Sequence, residues 1–438
     1  MSDITIGTLA DAGPQPRRDI GIGRRYRAER RFRLYGVLAV SVGLIFLAIM
    51  LVSIVSKGYT AFWQTEVTLP ITFDEKVIDP DNKRATDPSV LIAANYPKLA
   101  QDALLAKLGV DPKDKPLAGK IKGFISDAAR TQLRDIVVAN PAVIGTTQNV
   151  DILVNANIDS AFKGQIDLSV PEKNRKVSDQ QVTWMNQLAK DGTLAEHFNT
   201  GLFTYGASSR PESSGMGVAI IGSFYMMVIV LLLALPIGVA ASIYLEEFAK
   251  KTRLTDLIEV NINNLAAVPS IVFGLLGLAV FVNFLGLPRS AALVGGLVLT
   301  LMTLPTIIIA TRAALAAVPP SIRSAALGLG ASKMQMVFQH ILPLAAPGIL
   351  TGTIIGLARA LGETAPLLLI GMVAFVADYP RTPLDPSTAL PVQIYMWANE
   401  AERAFVERMS GAIIILLIFL MVMNITAIVL RRRFERRW

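Results

Sequence analysis

The stretch Ser324-Ala325-Ala326-Leu327-Gly328-Leu329-Gly330, followed by Ile341-Leu342-Pro343, decides how this chain is read. Small residues at 324–326 allow close helix approach, and Gly330 permits a sharp turn. Pro343 is expected to end the segment before the next apolar run begins. Two short helices joined at a glycine would make a compact knob that another protein could grip. An ordinary amphipathic loop between helices is the alternative. Long apolar runs flank the knob at about 291–310 and 346–370, so it connects two candidate membrane spans.

Further out, apolar runs recur at about 34–55, 218–244, 261–285 and 411–430, making six, each near the roughly 20 residues needed to cross hydrocarbon. The first is too long for a secretory signal, whose apolar region is about 7–15 residues. The composition agrees: 52% of the 438 residues are hydrophobic and 17% charged, against roughly 25% charged in soluble domains. Eight arginines lie between Arg17 and Arg33, and Arg431, Arg432, Arg433, Arg436 and Arg437 close the chain. Arginine at membrane-flanking ends resists translocation, which puts both termini in the cytoplasm, and an even number of spans agrees with both termini lying on one side. No aromatic or base-reading module accompanies these arginines, which argues against a nucleic-acid arm. The loops at 246–256, with Lys250, Lys251 and Arg253, and at 311–343, with Arg312, Arg323 and Lys333, then face inward. The polar stretch 57–214 faces outward.

That stretch has nearly balanced charge and the length of a domain with its own core. Residues 129–138 have helical spacing, 150–156 and 165–170 alternate like short strands, and 182–198 read as helical with a break at Gly192. An α+β or helical domain is expected. With no cysteine, disulfides, thiolate nucleophiles and Cys-based metal sites are excluded. His197 and His340 are too few for a His-rich metal site. No nucleophile elbow, zinc signature or paired-carboxylate motif stands out, so an enzyme is disfavoured. The chain lacks G-x-x-x-x-G-K-[ST]; if ATP drives it, another polypeptide binds that ATP.

The run at 346–370 contains Gly356-Leu357-Ala358-Arg359-Ala360-Leu361-Gly362-Glu363-Thr364-Ala365-Pro366. On a continuous helix Arg359 would lie about 20 Å into the span, past the middle of the hydrocarbon. A charge at the centre costs at least about 2.5–3.5 kcal/mol. Glu363, four residues on, would share its face and partly compensate. Gly356 and Gly362 would let neighbouring helices approach, and Pro366 would kink the helix. One reading is an anion pathway in which Arg359 offers its planar donor fork to phosphate oxygens and Glu363 holds or releases the arginine. The other is a structural ion pair.

Ala325, Ala326, Gly330, Leu342 and Pro343 stand at the spacing of the EAA loop of ABC-importer permeases, which this loop resembles. Ser324 stands where glutamate is usual, and His340 where an aliphatic residue is usual. The resemblance implies that the loop docks into a cytoplasmic ATPase subunit through Ser324, Ala325, Ala326, Gly330, Leu342 and Pro343. ARALGETAPLLL at 358–369, with Tyr244-Leu245-Glu246-Glu247, the stretch 264–274 and Leu390-Pro391-Val392-Gln393-Ile394-Tyr395-Met396-Trp397, resembles the A-type (PstA-like) permeases of the bacterial phosphate importer, the Pst system. That likeness covers about 215 to the end.

It implies an all-α polytopic membrane protein of the bacterial inner membrane, with six transmembrane helices in the type I ABC importer permease fold. A periplasmic domain would be inserted between helices 1 and 2. The expected organisation is a cytoplasmic segment 1–33, a first helix 34–56, a periplasmic domain 57–214, a permease core 215–430 with the loop 311–343, and a basic tail 431–438. The implied pathway residues are Arg359, Glu363 and Thr364. The implied partners are a second permease (PstC-like), P-loop ATPase subunits (PstB-like), a periplasmic phosphate-binding protein (PstS-like) and membrane lipid, with no nucleic acid. The chain itself would bind no cofactor or metal, ATP being held by its partner. Molybdate, sulfate or a phosphonate is the alternative cargo, and a membrane receptor with a periplasmic sensory domain is the alternative class. The extra domain is left unexplained by the resemblance.

Overall fold

The computed structural model describes residues 22–84 and 86–434; Arg17, Arg18, Arg436 and Arg437 of the two basic flanks lie outside the described residues. Helix α1 (Ile22–Gly58) carries the first apolar run. The mean hydropathy over its membrane-length window reaches 2.9, and none of that window is buried. An apolar window of that length is long enough to cross hydrocarbon.

The polar stretch folds as α+β. Its centre is β1 (Trp63–Thr72), flanked on both sides by antiparallel strands, β2 (Thr147–Leu153) and β3 (Leu194–Phe198), in the order β2-β1-β3. Alternate β1 residues Val67, Leu69 and Ile71 turn into a core closed by α2 (Tyr96–Leu108), α3 (Ala129–Ala139) and α4 (Asp179–Lys190). Tyr96, Leu104, Leu133, Val137, Trp184 and Leu188 complete that core, and each large apolar side chain fully buried there contributes about 1.5–3 kcal/mol. The helix at 129–139 and the strand near 150 match the expectation from spacing.

Two expectations fail. Residues 165–170 form no strand, because the Ser169 amide and hydroxyl both donate to Asp167 and curl the chain into a turn. Residues 194–198 form β3 rather than helix: Gly192, at φ +72°, ends the helical course, and β1 offers a free edge to pair with. Strand β1 itself was not anticipated.

Most of the remainder is helical, apart from turns and irregular backbone at 370–389: α5 (Gly217–Ile243), α6 (Arg253–Ala266), α7 (Ser270–Gly277), α8 (Ala292–Ala316), α9 (Pro320–Gly328), α10 (Leu342–Gly362), α11 (Ala365–Leu369), α12 (Leu390–Ala398) and α13 (Ala404–Phe434). Among the described residues, five helices are long and apolar enough to cross a membrane, those containing α1, α5, α8, α10 and α13. The run at 261–285, expected to be one straight span, is instead a pair of helices meeting at 101°, α6 and then α7 with its π-helical continuation Leu278–Phe284. Pro269 has no amide to donate and disfavours helical backbone at Val268, so α6 ends at Ala266.

The run at 346–370 is also interrupted. α10 stops at Gly362, Glu363 is extended at φ −78° and ψ 128°, and α11 restarts with Pro366 in its first turn, where a missing amide costs nothing. At the other end Pro343 does not terminate the preceding segment. The helix runs unbroken from Lys333 to Gly362, its π-helical turn Met336–Ile341 leading directly into α10. Such a turn shifts the hydrogen-bond ladder where the prolines interrupt it.

α8 packs between α5 and α10, and α10 against α13. The close approach of α8 and α10 rests on Gly348 and Gly352: a Cβ on Gly352 would stand 2.2 Å from Ala310 Cβ, and one on Gly348 2.6 Å from Ala314 Cβ. The expected roles of Gly356 and Gly362 fall away, since Gly356 has only ordinary contact with Ile307 and Gly362 faces open space.

The α+β unit is tied to the start of α13 by buried charge. Lys163 Nζ, 2% exposed, donates to Asp159 at 2.8 Å, to Glu407 at 3.0 Å and to the Trp63 carbonyl at 2.7 Å. Gly58 abuts the Ser410 backbone so closely that a Cβ would lie 2.6 Å from its carbonyl carbon. Glu212 is buried beside this joint, accepting from Ser126 Oγ at 2.7 Å, while its backbone carbonyl accepts from Gln64. Burial raises its carboxyl above the ordinary 4.5, against a smaller lowering by Ser126.

Replacing Lys163 with Met strands the Asp159 and Glu407 carboxylates in a dry site, and thermal unfolding in detergent should show about 3–5 kcal/mol of lost stability. Glu212 is a raised carboxyl, so its contribution to stability is complete below pH 4.5 and is lost as pH climbs through the higher folded value. Thermal unfolding of Glu212→Gln across that range should show this loss on raising pH removed; an unchanged pH profile would assign the dependence elsewhere.

Candidate functional site

The knob is built as two helical pieces about a glycine. α9 ends at Gly328, Gly330 takes φ +86°, and Ser332 caps the next helix in reciprocal hydrogen bonds with Gln335. Ala326 is buried in a cluster with Ile243, Leu315, Val337 and Ile341, which anchors the knob to the helices around it. Ser324 Oγ returns to the Pro320 carbonyl at 3.2 Å, and Ala325 is exposed beside it. Leu342 and Pro343 lie in the first turn of α10, carried by the same continuous helix. What the knob presents outward is apolar: Leu329 is 91% exposed, and Leu327, Met334 and Phe338 are also exposed. His340 is exposed in the π-helical turn.

The knob is held by charges that spacing did not pair in advance. Arg323 chelates the buried Glu247 carboxylate, with Nη2 at 2.8 Å and Nε at 3.2 Å, and donates to the Leu315 carbonyl at 2.8 Å. Arg312 reaches Glu259 at 2.8 Å and Glu246 at 3.4 Å. The signal was an acidic pair ending one apolar run and arginines bounding the next loop, read only as inward-facing charge.

Arg359 occupies the last turn of α10, not the middle of a long helix. Its Nε lies 3.7 Å from Glu363 Oε1, an ion pair too long for a hydrogen bond. Arg359 is 47% exposed and Glu363 20%, so the guanidinium is open on the surface of the single chain. Thr364 caps α11, its carbonyl accepting from the Leu367 and Leu368 amides at 3.1 Å each. The helix that follows this break, α11, packs on α7, which follows the other break: a Cβ on Gly274 would lie 2.7 Å from Pro366 Cα. The segments that follow the two interruptions thus pack on each other, and Arg359 lies in the last turn of the helix before the second. Non-helical backbone at membrane depth survives where protein covers it or where it lines a cavity. Sequence reading missed the first break, although Asn261, Asn263 and Asn264, all exposed, mark 261–285 as only half apolar.

Among the described residues, one cluster could hold a metal ion. On the open face of the sheet, Glu66, Asp151 and His197 bring one ligand atom each within 4.8 Å of one another. The His197 ring nitrogen lies 3.1 Å from Glu66, and Thr68 donates to Asp151 at 2.6 Å. These contacts account for the arrangement as ordinary cross-strand pairing.

A family profile described as binding-protein-dependent transport system inner membrane component matches residues 234–438, and one described as a domain of unknown function (DUF3333) matches 19–172. The probable ABC transporter permease protein YqgI of Bacillus subtilis is 34% identical over 212 residues, 44% of this chain and 71% of its own length. The phosphate transport system permease protein PstA 1 of Mycobacterium tuberculosis is 32% identical over 230 residues, 52% of this chain and 74% of its own length. A chain of the inward-facing MetNI methionine ABC transporter superposes over 50% of this chain and 98% of its own, with a TM-score of 0.43 and 18% identity.

Arg323→Ala removes the partner of a carboxylate that is 6% exposed. The knob should then open more readily, and limited trypsin cleavage after Lys333 should quicken about tenfold or more, in line with the 1.5–3 kcal/mol of a charged hydrogen bond.

Proposed function

Because the chain belongs to the family of inner-membrane components of binding-protein-dependent transport systems, the ABC transporter permeases, we propose that it is the transmembrane subunit of an ATP-driven phosphate importer. The cargo reading draws on two supports: relatives named as phosphate permeases, and a guanidinium at the end of an apolar helix that has, among the described residues, no closer partner than a 3.7 Å carboxylate. The second carries it. Arg359 offers a planar fork suited to phosphate oxygens, and its loose pairing with Glu363 leaves donors free for an arriving anion. Thr364, at the break, stands where backbone and hydroxyl could add contacts to the same ion.

In this reading a second permease subunit completes the pathway and covers the exposed side of Arg359. Cytoplasmic P-loop ATPase subunits bind the ATP and grip the knob through Ala325, Ala326 and the apolar crown at Leu327 and Leu329. Ser324 leaves that contact without the usual glutamate. A binding protein delivers phosphate on the far side, where the 57–214 domain also stands, while 215–430 form the permease core in the inner membrane with both termini cytoplasmic. ATP binding would close the ATPase pair, and the knob would pass that motion into α10, with which it shares one continuous helix.

The test is phosphate uptake by the reconstituted complex. Arg359→Ala should cut uptake by about tenfold to a hundredfold, the worth of one charged hydrogen-bond donor set, while the subunit still co-purifies with its ATPase. Undiminished uptake refutes the pathway role, and competition by sulfate, molybdate and phosphonate in the same assay ranks the anions.

A further inference from the structure

A cavity of about 590 Å³ opens where α1 ends and α13 begins, walled on its third side by residues 157–176 of the α+β unit. Its volume suits a small ligand or headgroup. Tyr59, Ile166 and Val170 supply apolar wall, and Lys57, Arg175, Lys176 and Arg403 supply positive charge.

The acidic groups on the wall are already engaged. Glu407 takes Lys163 at 3.0 Å. Asp167 accepts the Ser169 hydroxyl at 2.6 Å and amide at 2.9 Å, bonds that hold its carboxyl below the usual range. The cations are less committed: among the described residues Lys57 and Lys176, both exposed, have no ion-pair partner.

Arg175 gives the second, independent sign. Its side chain is only 6% exposed, Nη1 donates to the Leu168 carbonyl at 2.9 Å and Nη2 pairs with Asp179, yet among the described residues Nε–H has no hydrogen-bond partner. A buried guanidinium donor left unmade is costly, and native structures rarely leave one without a reason.

We propose that this cavity binds a phosphate-type oxyanion, its oxygens meeting the ammonium groups of Lys57 and Lys176 beside the Arg175 guanidinium in the wall. The charge-assisted geometry suits a phosphate group whether free or esterified. The site stands apart from Arg359 and does not depend on the pathway reading. Its place between the ends of two apolar helices favours a phospholipid headgroup, because the apolar wall continues toward helices built for acyl chains.

The test uses the full chain, delipidated in detergent, in two arms. In one, inorganic phosphate binding is followed by equilibrium dialysis. In the other, the chain is placed in nanodiscs of phosphatidylglycerol or phosphatidylcholine, and lipid retained after extraction is counted by native mass spectrometry. Wild type should hold ligand in one arm, with phosphatidylglycerol preferred if the source is lipid. Arg175→Gln, and separately the double variant Lys57→Gln with Lys176→Gln, should each lower retention about tenfold, the loss expected for a charged hydrogen bond. In the nanodisc arm Arg359→Ala should leave lipid retention unchanged, and in the dialysis arm it should leave the phosphate lost by the lysine double variant still bound. Arg175 also braces Leu168 and Asp179, so its variant is checked by thermal unfolding, and if it misfolds the exposed lysine pair alone decides the outcome. Equal retention by wild type and the lysine double variant in both arms overturns the proposal. So does phosphate binding that only Arg359→Ala removes.

Discussion

Hydrocarbon offers no water to a peptide group, and that single constraint arranges the helical part of this chain. An amide or carbonyl left unpaired there costs several kcal/mol, so a spanning helix can be interrupted only where protein or a polar channel takes over the role of solvent. Two helices are interrupted here, at 267–269 and at 363–364, and the segments that follow the interruptions pack on each other through Gly274 and Pro366. The breaks are therefore a joint feature. Ala267 and Pro269 of the first break are exposed in the single chain, and Arg359 stands four residues before Glu363 with its charge only loosely balanced.

A different problem is solved where the α+β unit meets α13. Lys163, Asp159 and Glu407 are all buried, and a buried ion pair often contributes little net stability, because desolvating the charges offsets their attraction. Its geometry, however, is selective. One ammonium satisfied by two carboxylates and a carbonyl has few alternative arrangements, whereas apolar surfaces can slide past each other. With Gly58 seated on the Ser410 backbone, the joint fixes how the α+β unit stands on the last membrane helix.

The broad architecture was legible because its signals are one-dimensional. Length of apolar run and the placement of arginine sufficed for the helices, and the residues from Ser324 to Pro343 announced a knob turning at Gly330. What escaped depends on partners distant in sequence. β3 looks helical on its own, since Leu194–Phe198 becomes a strand only when β1 offers it hydrogen bonds. Gly356 and Gly362 were the expected packing glycines, yet Gly348 and Gly352 hold the crossing, because only the neighbouring helix decides which face is turned to Ala310 and Ala314. Arg359 was placed deep in a helix by counting along a continuous span, and the count lost its meaning once that helix ended at Gly362. The pairing of Arg323 with Glu247, 76 residues apart, likewise lies beyond any local pattern.

The antiparallel register of the sheet carries one more implication. Trp63, at the start of β1, is directly opposite Phe198, at the end of β3, so the chain enters and leaves the α+β unit at two adjacent points, about one strand spacing apart. A module whose doorways sit side by side can be spliced into a connecting loop without prising apart the helices it joins. What such a cassette must match in the flanking segments is then confined to its joint with α13, where Glu407 has to find its lysine.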